Sequence, residues 1–267
     1  MSHYDCDGRK NYFIEFGRGA PVVLLHGISN SGRAWAPQVA PLLGAGFRVI
    51  IPDQAGHGAS ARLNRPFTVM ELARDVRIML DTMGIDTADI VGLSLGGMVG
   101  LQLALSAPDR IRHLVVANSF PSFATAEFRL MAQSWAAAFR EENGPAARLE
   151  AAWPLNVNES FRSSEEGLRT YQVWHGVAAT ADGESLAHVA EGLLHFDLRN
   201  KLGSLATPTL FISGGGDLMS PPAISREMAD AVPGAQYFEI EGAAHISNVD
   251  SPQQFNAAVV PFLKPDM

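Results

Sequence analysis

Ser94 sits at the centre of Gly92-Leu93-Ser94-Leu95-Gly96, a G-x-S-x-G pattern entered through Ile90 and Val91. Such a segment reads as a strand that bends sharply into a helix, with the serine on the bend. The hydroxyl then leaves the sheet edge at a helix N-terminus, whose unpaired N–H groups and partial positive charge favour an anion. The chemistry on offer is nucleophilic attack, and a serine needs a neighbouring base and an acid that orients the base. Asp217 closes Ile212-Ser213-Gly214-Gly215-Gly216-Asp217, and His245 closes Gly242-Ala243-Ala244-His245. Each follows an apolar run, at the C-terminal strand edge where open α/β sheets bind ligands. Asp53 also follows a strand, but its sequel Gly56-His57-Gly58 reads as a structural turn that takes His57 with it. His26 braces its own loop, and His113, His175, His188 and His195 are read as surface or core residues. None has a metal-binding spacing such as H-E-x-x-H, so no metal is expected.

These residues need elements to hold them in place. Lys10–Phe16 alternates and ends at the turn Gly17-Arg18-Gly19, which predicts a first strand. Pro21–Leu25, Phe47–Ile51, Ile90–Leu93, Ile111–Ala117 and Pro208–Ser213 are short apolar runs suited to strands buried on both faces. Between them lie helical patterns. The clearest carries Val69, Leu72, Ala73, Val76, Leu80 and Met83 on one face, opens on a Thr68/Glu71 capping box and stops at Gly84. A short strand over Gln236–Ile240 and a helix over Pro252–Leu263 complete the chain. The alternation argues for a mostly parallel sheet covered on both faces. It breaks after Asn118: from Phe120 to about Lys201 the pattern is helical and holds Trp135, Trp153 and Trp174. That block reads as an insertion between two sheet strands.

The chain has 267 residues and a net charge of −8, so it exerts no long-range attraction on nucleic acid or anionic membranes. Cys6 is the single cysteine, which excludes an intrachain disulfide and a cysteine-rich metal site. Met1–Asp5 lacks the basic start and apolar run of a secretory signal, and no stretch reaches the length of a membrane helix. The expectation is a cytoplasmic protein with a small-molecule substrate, open to homo-oligomer formation.

Taken together, His26-Gly27, Asp53 with Gly56-His57-Gly58, the Ser94 elbow, Asp217 and His245 resemble the α/β-hydrolase superfamily over essentially the whole length. The resemblance implies an α/β-hydrolase fold: a mostly parallel central sheet, helices on both faces, and a helical lid inserted after the sixth strand. Residues 1–119 and 202–267 would be the core and 120–201 the lid. It also implies Ser94 as nucleophile, His245 as general base and then acid, Asp217 as orienter, and the N–H groups of Ile28 and Leu95 as oxyanion hole. No cofactor is implied. Serine at the elbow points to acyl transfer, where an aspartate would suggest a dehalogenase or epoxide hydrolase.

A finer resemblance is to 3-oxoadipate enol-lactonases. It rests on Trp35-Ala36-Pro37-Gln38-Val39, Phe196-Asp197-Leu198-Arg199 and His245-Ile246-Ser247-Asn248. One departure is Ala55, which stands where that group has an arginine before the glycine turn. The insertion matches the group weakly, so the substrate stays open. Trp153 and Trp135 are the candidate substrate-binding residues, from a set that includes Phe139 and Trp174. One of Arg129, Arg140, Arg148, Arg162 and Arg169 could receive a substrate carboxylate. The reaction expected is hydrolysis of a small lactone or carboxylic ester. One alternative is C–C cleavage of a vinylogous diketone, against which the loop Gly27-Ile28-Ser29-Asn30 lacks the usual glycine-proline-glycine run. The other is a ligand-binding receptor with slow turnover.

Overall fold

The computed structural model describes residues 2–264. Its centre is an eight-stranded sheet: β1 (Ser2–Cys6), β2 (Arg9–Phe16), β3 (Ala20–Leu25), β4 (Phe47–Pro52), β5 (Ala88–Leu93), β6 (Ile111–Ala117), β7 (Thr209–Gly214) and β8 (Gln236–Ile240). The spatial order is β1-β2-β4-β3-β5-β6-β7-β8, with the β1–β2 and β2–β4 pairings antiparallel and the other five parallel.

Alternation along each strand divides the core in two. Val23, Leu25, Ile50, Ile90, Leu114, Val116 and Phe211 face one side, where α2 (Val69–Thr82), α3 (Leu95–Ser106) and α9 (Pro222–Ala231) cover them. Val22, Leu24, Val49, Ile51, Val91, Val115, Leu210 and Ile212 face the other, under α1 (Ala36–Gly44) and α11 (Pro252–Leu263). Successive side chains point to opposite faces, so a strand buried on both must be apolar at every position. That is why the sequence showed runs here rather than alternation. The capping box forms: Glu71 N–H donates to Thr68 Oγ1 at 3.3 Å, and Thr68 N–H to Glu71 Oε2 at 2.9 Å.

The first strand of the sheet is not the predicted one. β1 precedes it and joins β2 through Asp7-Gly8, both at positive φ (54° and 84°). This two-residue primed turn matches the right-handed twist of a hairpin, and the Asp-Gly pair was its sequence signal. Tyr4 and Cys6 alternate inward from β1.

Between β6 and β7 the chain runs through α4 (Ala126–Arg140), α5 (Gly144–Asn156), α6 (Glu159–Arg162), α7 (Glu165–Ala179) and α8 (Gly183–Gly192). Its two ends meet: Phe123 N–H donates to Phe196 O at 2.8 Å and Leu198 N–H to Pro121 O at 2.9 Å. Among the described residues no helix is long and apolar enough to cross a membrane.

Candidate active site

β5 hands over to Ser94, whose backbone is held at φ 54°, ψ −115°, a conformation that L-residues rarely adopt. The bend survives because its glycines leave room: a methyl on Gly92 would meet the Gly96 carbonyl, and one on Gly96 the Leu25 carbonyl. Neighbouring strands clamp it. Ser94 N–H donates to Ala117 O at 2.9 Å, and Ser119 Oγ donates to Ser94 O at 2.7 Å.

His245, in the loop after β8, places Nε2 3.1 Å from Ser94 Oγ and Nδ1 2.9 Å from Asp217 Oδ2. All three residues are buried. Asp217 leaves β7 in a tight turn, where Oδ1 accepts from the N–H groups of Met219 (2.8 Å) and Ser220 (3.0 Å). Oδ2 accepts from Ser220 Oγ at 2.6 Å and Asn118 Nδ2 at 2.9 Å. Burial by itself would raise the Asp217 carboxyl. The opposite charge and hydrogen bond of His245, with the Ser220 and Asn118 donors, outweigh it and hold the carboxyl down at about 2. The acid therefore stays ionised, and Nδ1 of His245 carries the proton toward it, which leaves Nε2 free to accept one from Ser94.

Two backbone donors flank the serine. The Leu95 N–H opens α3, and the Ile28 N–H lies in the loop after β3; neither donates to another described residue. That loop passes close to the elbow, with Gly27 packed against Ser94. His26 holds it from below. Its Nδ1 lies 2.8 Å from Gly27 O, Gln54 N–H donates to its Nε2 at 3.0 Å, and Gln54 Nε2 donates to His26 O at 2.6 Å. Burial lowers the pKa of His26 to about 4, so the ring braces as a neutral imidazole. Asp53 holds the adjoining turn through Gly32 N–H (2.7 Å) and Ala59 N–H (2.8 Å) and makes no contact with His245. His57 lies in the same turn, edge-on to His26, and burial followed by that neighbour lowers its pKa to about 3. Ala55 is buried in the apolar core, a place where an arginine would require a partner.

A pocket open to solvent lies over Ser94 and His245. Its floor is Gly27–Ser31, Leu93, Ser94, Met219, His245 and Ile246; its roof is Arg148, Leu149, Asn156, Trp174 and Val177 from α5 and α7.

The two tryptophans expected to touch substrate lie elsewhere. Trp153 points into the packing between α5 and α7, against Tyr171 (5.4 Å between centroids) and Trp174 (5.9 Å). Trp135 stands behind the lining, with the Arg148 guanidinium 4.5 Å from its ring centroid. Trp174 takes the lining place. Of the insertion's candidate arginines, Arg140 is paired with Glu184 and Glu191, Arg169 with Glu165, and Arg129 bonds the Ala124 carbonyl. Arg148 alone of the five lines the pocket.

Asn118 went unnoticed in the sequence. At φ 48° after β6, it donates to Asp217 Oδ2 and to Ala244 O (3.2 Å) and accepts from Ser247 Oγ (2.6 Å), locking the acid loop to the base loop. Its signal was its place, a polar residue ending an apolar strand on the same sheet edge.

Comparison with known proteins bears on the fold and the family. A family model described as alpha/beta hydrolase fold matches residues 20–252. A protein of Azorhizobium caulinodans provisionally named carbamate hydrolase RutD is 30% identical over 94% of this chain and 94% of its own length. The enol-lactonase from Burkholderia xenovorans LB400 superposes with a TM-score of 0.91 at 32% identity, covering 98% of this chain and 99% of that one. A thermophilic esterase from Thermogutta terrifontis, solved with malate bound, gives a TM-score of 0.90 at 26% identity over 99% and 98% of the two chains.

Proposed function

The chain belongs to the alpha/beta hydrolase family, and from that premise we propose that it is a serine hydrolase opening a small lactone or carboxylic ester through an acyl-enzyme on Ser94. The observation that carries the reading is the continuous relay from Ser94 Oγ through His245 to Asp217, at 3.1 and 2.9 Å. Ser94 Oγ attacks the carbonyl carbon while its proton passes to His245 Nε2. The carbonyl oxygen takes up negative charge between the Ile28 and Leu95 N–H groups; losing one such donor costs about 3–4 kcal/mol of transition-state stabilisation in serine hydrolases. Collapse of the tetrahedral intermediate breaks the bond to the leaving oxygen, which takes the proton from His245. An enol leaving group departs easily and tautomerises to a ketone. Water then attacks the acyl-serine, giving its proton to His245, and the acid is released as Oγ is reprotonated. The helices over the pocket act as its lid, limiting water and shaping the substrate.

Likeness to the enol-lactonase supports a lactone substrate. The carbamate hydrolase name of the Azorhizobium relative favours a second reading, in which the same relay would carbamoylate Ser94. A panel of enol-lactones, simple lactones, aryl esters, carbamates and a vinylogous diketone discriminates among these readings by kcat/KM. The Ser94→Ala variant should keep its fold by circular dichroism, lose labelling by a fluorophosphonate, and drop by about 10⁶ in kcat. Turnover retained in Ser94→Ala would overturn the acyl-enzyme.

A further inference from the structure

Arg148 is a half-buried cation that the described residues leave without a counter-ion. Its Nε is sealed from solvent with no hydrogen-bond partner, and among the described residues no acceptor bonds its Nη atoms and no carboxylate lies within 4.0 Å. Three other half-buried arginines are paired, Arg9 with Asp75, Arg110 with Asp81 and Arg112 with Asp89, while Arg162, half-buried and without a carboxylate partner among the described residues, lies outside the pocket lining. A buried charge is costly unless an opposite charge and hydrogen bonds meet it. Burial does depress this guanidinium, to about 10, which still leaves it charged at neutral pH. Two rings hold it flat, Trp135 at 4.5 Å and Phe139 at 5.0 Å from the guanidinium carbon to the centroids. Such stacking fixes the plane of the fork and leaves its N–H groups for a planar two-oxygen partner. The side chain lines the same pocket as Ser94 and His245. Arg33 lines it too, but stands exposed at the mouth, where water satisfies it.

We propose that Arg148 is the anion-recognition site of this pocket, and that the substrate carries a free carboxylate, received by Arg148, in addition to its scissile acyl group. Trp135 then serves as a positioning residue, acting on the substrate through the guanidinium it supports. The inference rests on the acyl-transfer reading for the identity of the reaction, though not for the binding of the carboxylate.

Two measurements separate these layers. The first compares 4-nitrophenyl hydrogen glutarate with its neutral methyl ester, background hydrolysis subtracted. Wild type should prefer the acid. Arg148→Met should lower kcat/KM for the acid by about 10²-fold while changing the neutral ester by less than about 3-fold. Arg148→Lys should recover part of the loss. Equal losses on both esters from Arg148→Met, or a wild-type preference for the neutral ester, would overturn the proposal. If Arg148→Met does not fold, Arg148→Lys decides, with a selective loss of about 10-fold on the acid expected and an equal loss on both esters overturning it. The second measurement titrates glutarate calorimetrically into Ser94→Ala, where no turnover intervenes. Saturable binding that disappears in the Ser94→Ala/Arg148→Met double variant supports the site; no saturable binding in Ser94→Ala overturns it. Turnover surviving in Ser94→Ala would instead remove the acyl-enzyme while leaving the glutarate result to stand alone.

Discussion

Ser94 holds a backbone conformation that costs an L-residue roughly 1–3 kcal/mol. The tight bend between β5 and α3 forces that conformation, which brings Oγ to His245 and opens the N-terminus of α3 beside it. Strain of this kind is visible in stability. Ser94→Ala and Ser94→Gly both lose the hydroxyl, but only glycine adopts φ 54°, ψ −115° without a Cβ clash. The glycine variant should therefore be more stable than the alanine variant by about 1 kcal/mol in urea unfolding. Equal midpoints would show that the elbow stores no strain at this residue. Asp217 presents the complementary case, a carboxylate whose five hydrogen bonds overcome its burial.

At the scale of elements, the loop that carries His245 is tied to the helices above the pocket. Asp250, closing the short helix α10 (Ser247–Asp250), accepts from Ala244 N–H at 2.8 Å and from Asn158 N–H at 2.9 Å through the same oxygen. Ile246 N–H donates to Asn156 O at 2.8 Å. The end of α5 and the base loop are thus one hydrogen-bonded unit, and the roof of the pocket reports directly to its base. Asp250→Ala leaves two amides without their acceptor and should cost about 2–4 kcal/mol of stability. Hydrogen exchange should rise at Ala244 and Asn158 together, with kcat falling by about tenfold as His245 loses its fixed position. Faster exchange at only one of the two amides would show that the loop and the helix end are independent.

For the whole molecule, the two histidines beneath the oxyanion loop link folding to pH. In the folded chain their pKa values are lowered to about 4 (His26) and about 3 (His57), against roughly 6.5 in an unfolded chain. Below pH 6.5 the unfolded chain therefore binds protons that the folded chain refuses. Their stabilisation is complete above pH 6.5 and is lost as pH falls toward those folded values. Each fully titrating histidine contributes a slope of about 1.4 kcal/mol per pH unit. Urea midpoints should fall from pH 6.5 to 5, and His57→Asn should roughly halve the slope. An unchanged slope would mean that His57 takes up its proton in the folded state.

Much of this architecture is written locally. Apolar runs of strand length marked β3 to β7, Thr68 and Glu71 marked the start of α2, and glycines flanking Ser94 marked the elbow. Each signal lies within a few residues, because backbone geometry and strand or helix period are short-range properties. Ser94, Asp217 and His245 could be named because each ends a strand on one sheet edge, and a parallel sheet carries all such ends to the same side. Tertiary packing alone decided the roof of the pocket. Trp135, Trp153 and Trp174 are alike as sequence, as are Arg140 and Arg148. The rotation and docking of α4, α5 and α7 buried Trp153, put Trp174 over the serine, paired Arg140 and left Arg148 without an anion. Asn118 and Asp250 likewise gained their roles only when distant loops met. Local pattern specified the reacting groups, whereas long-range packing of the helices, which no periodicity encodes, specified what stands above them.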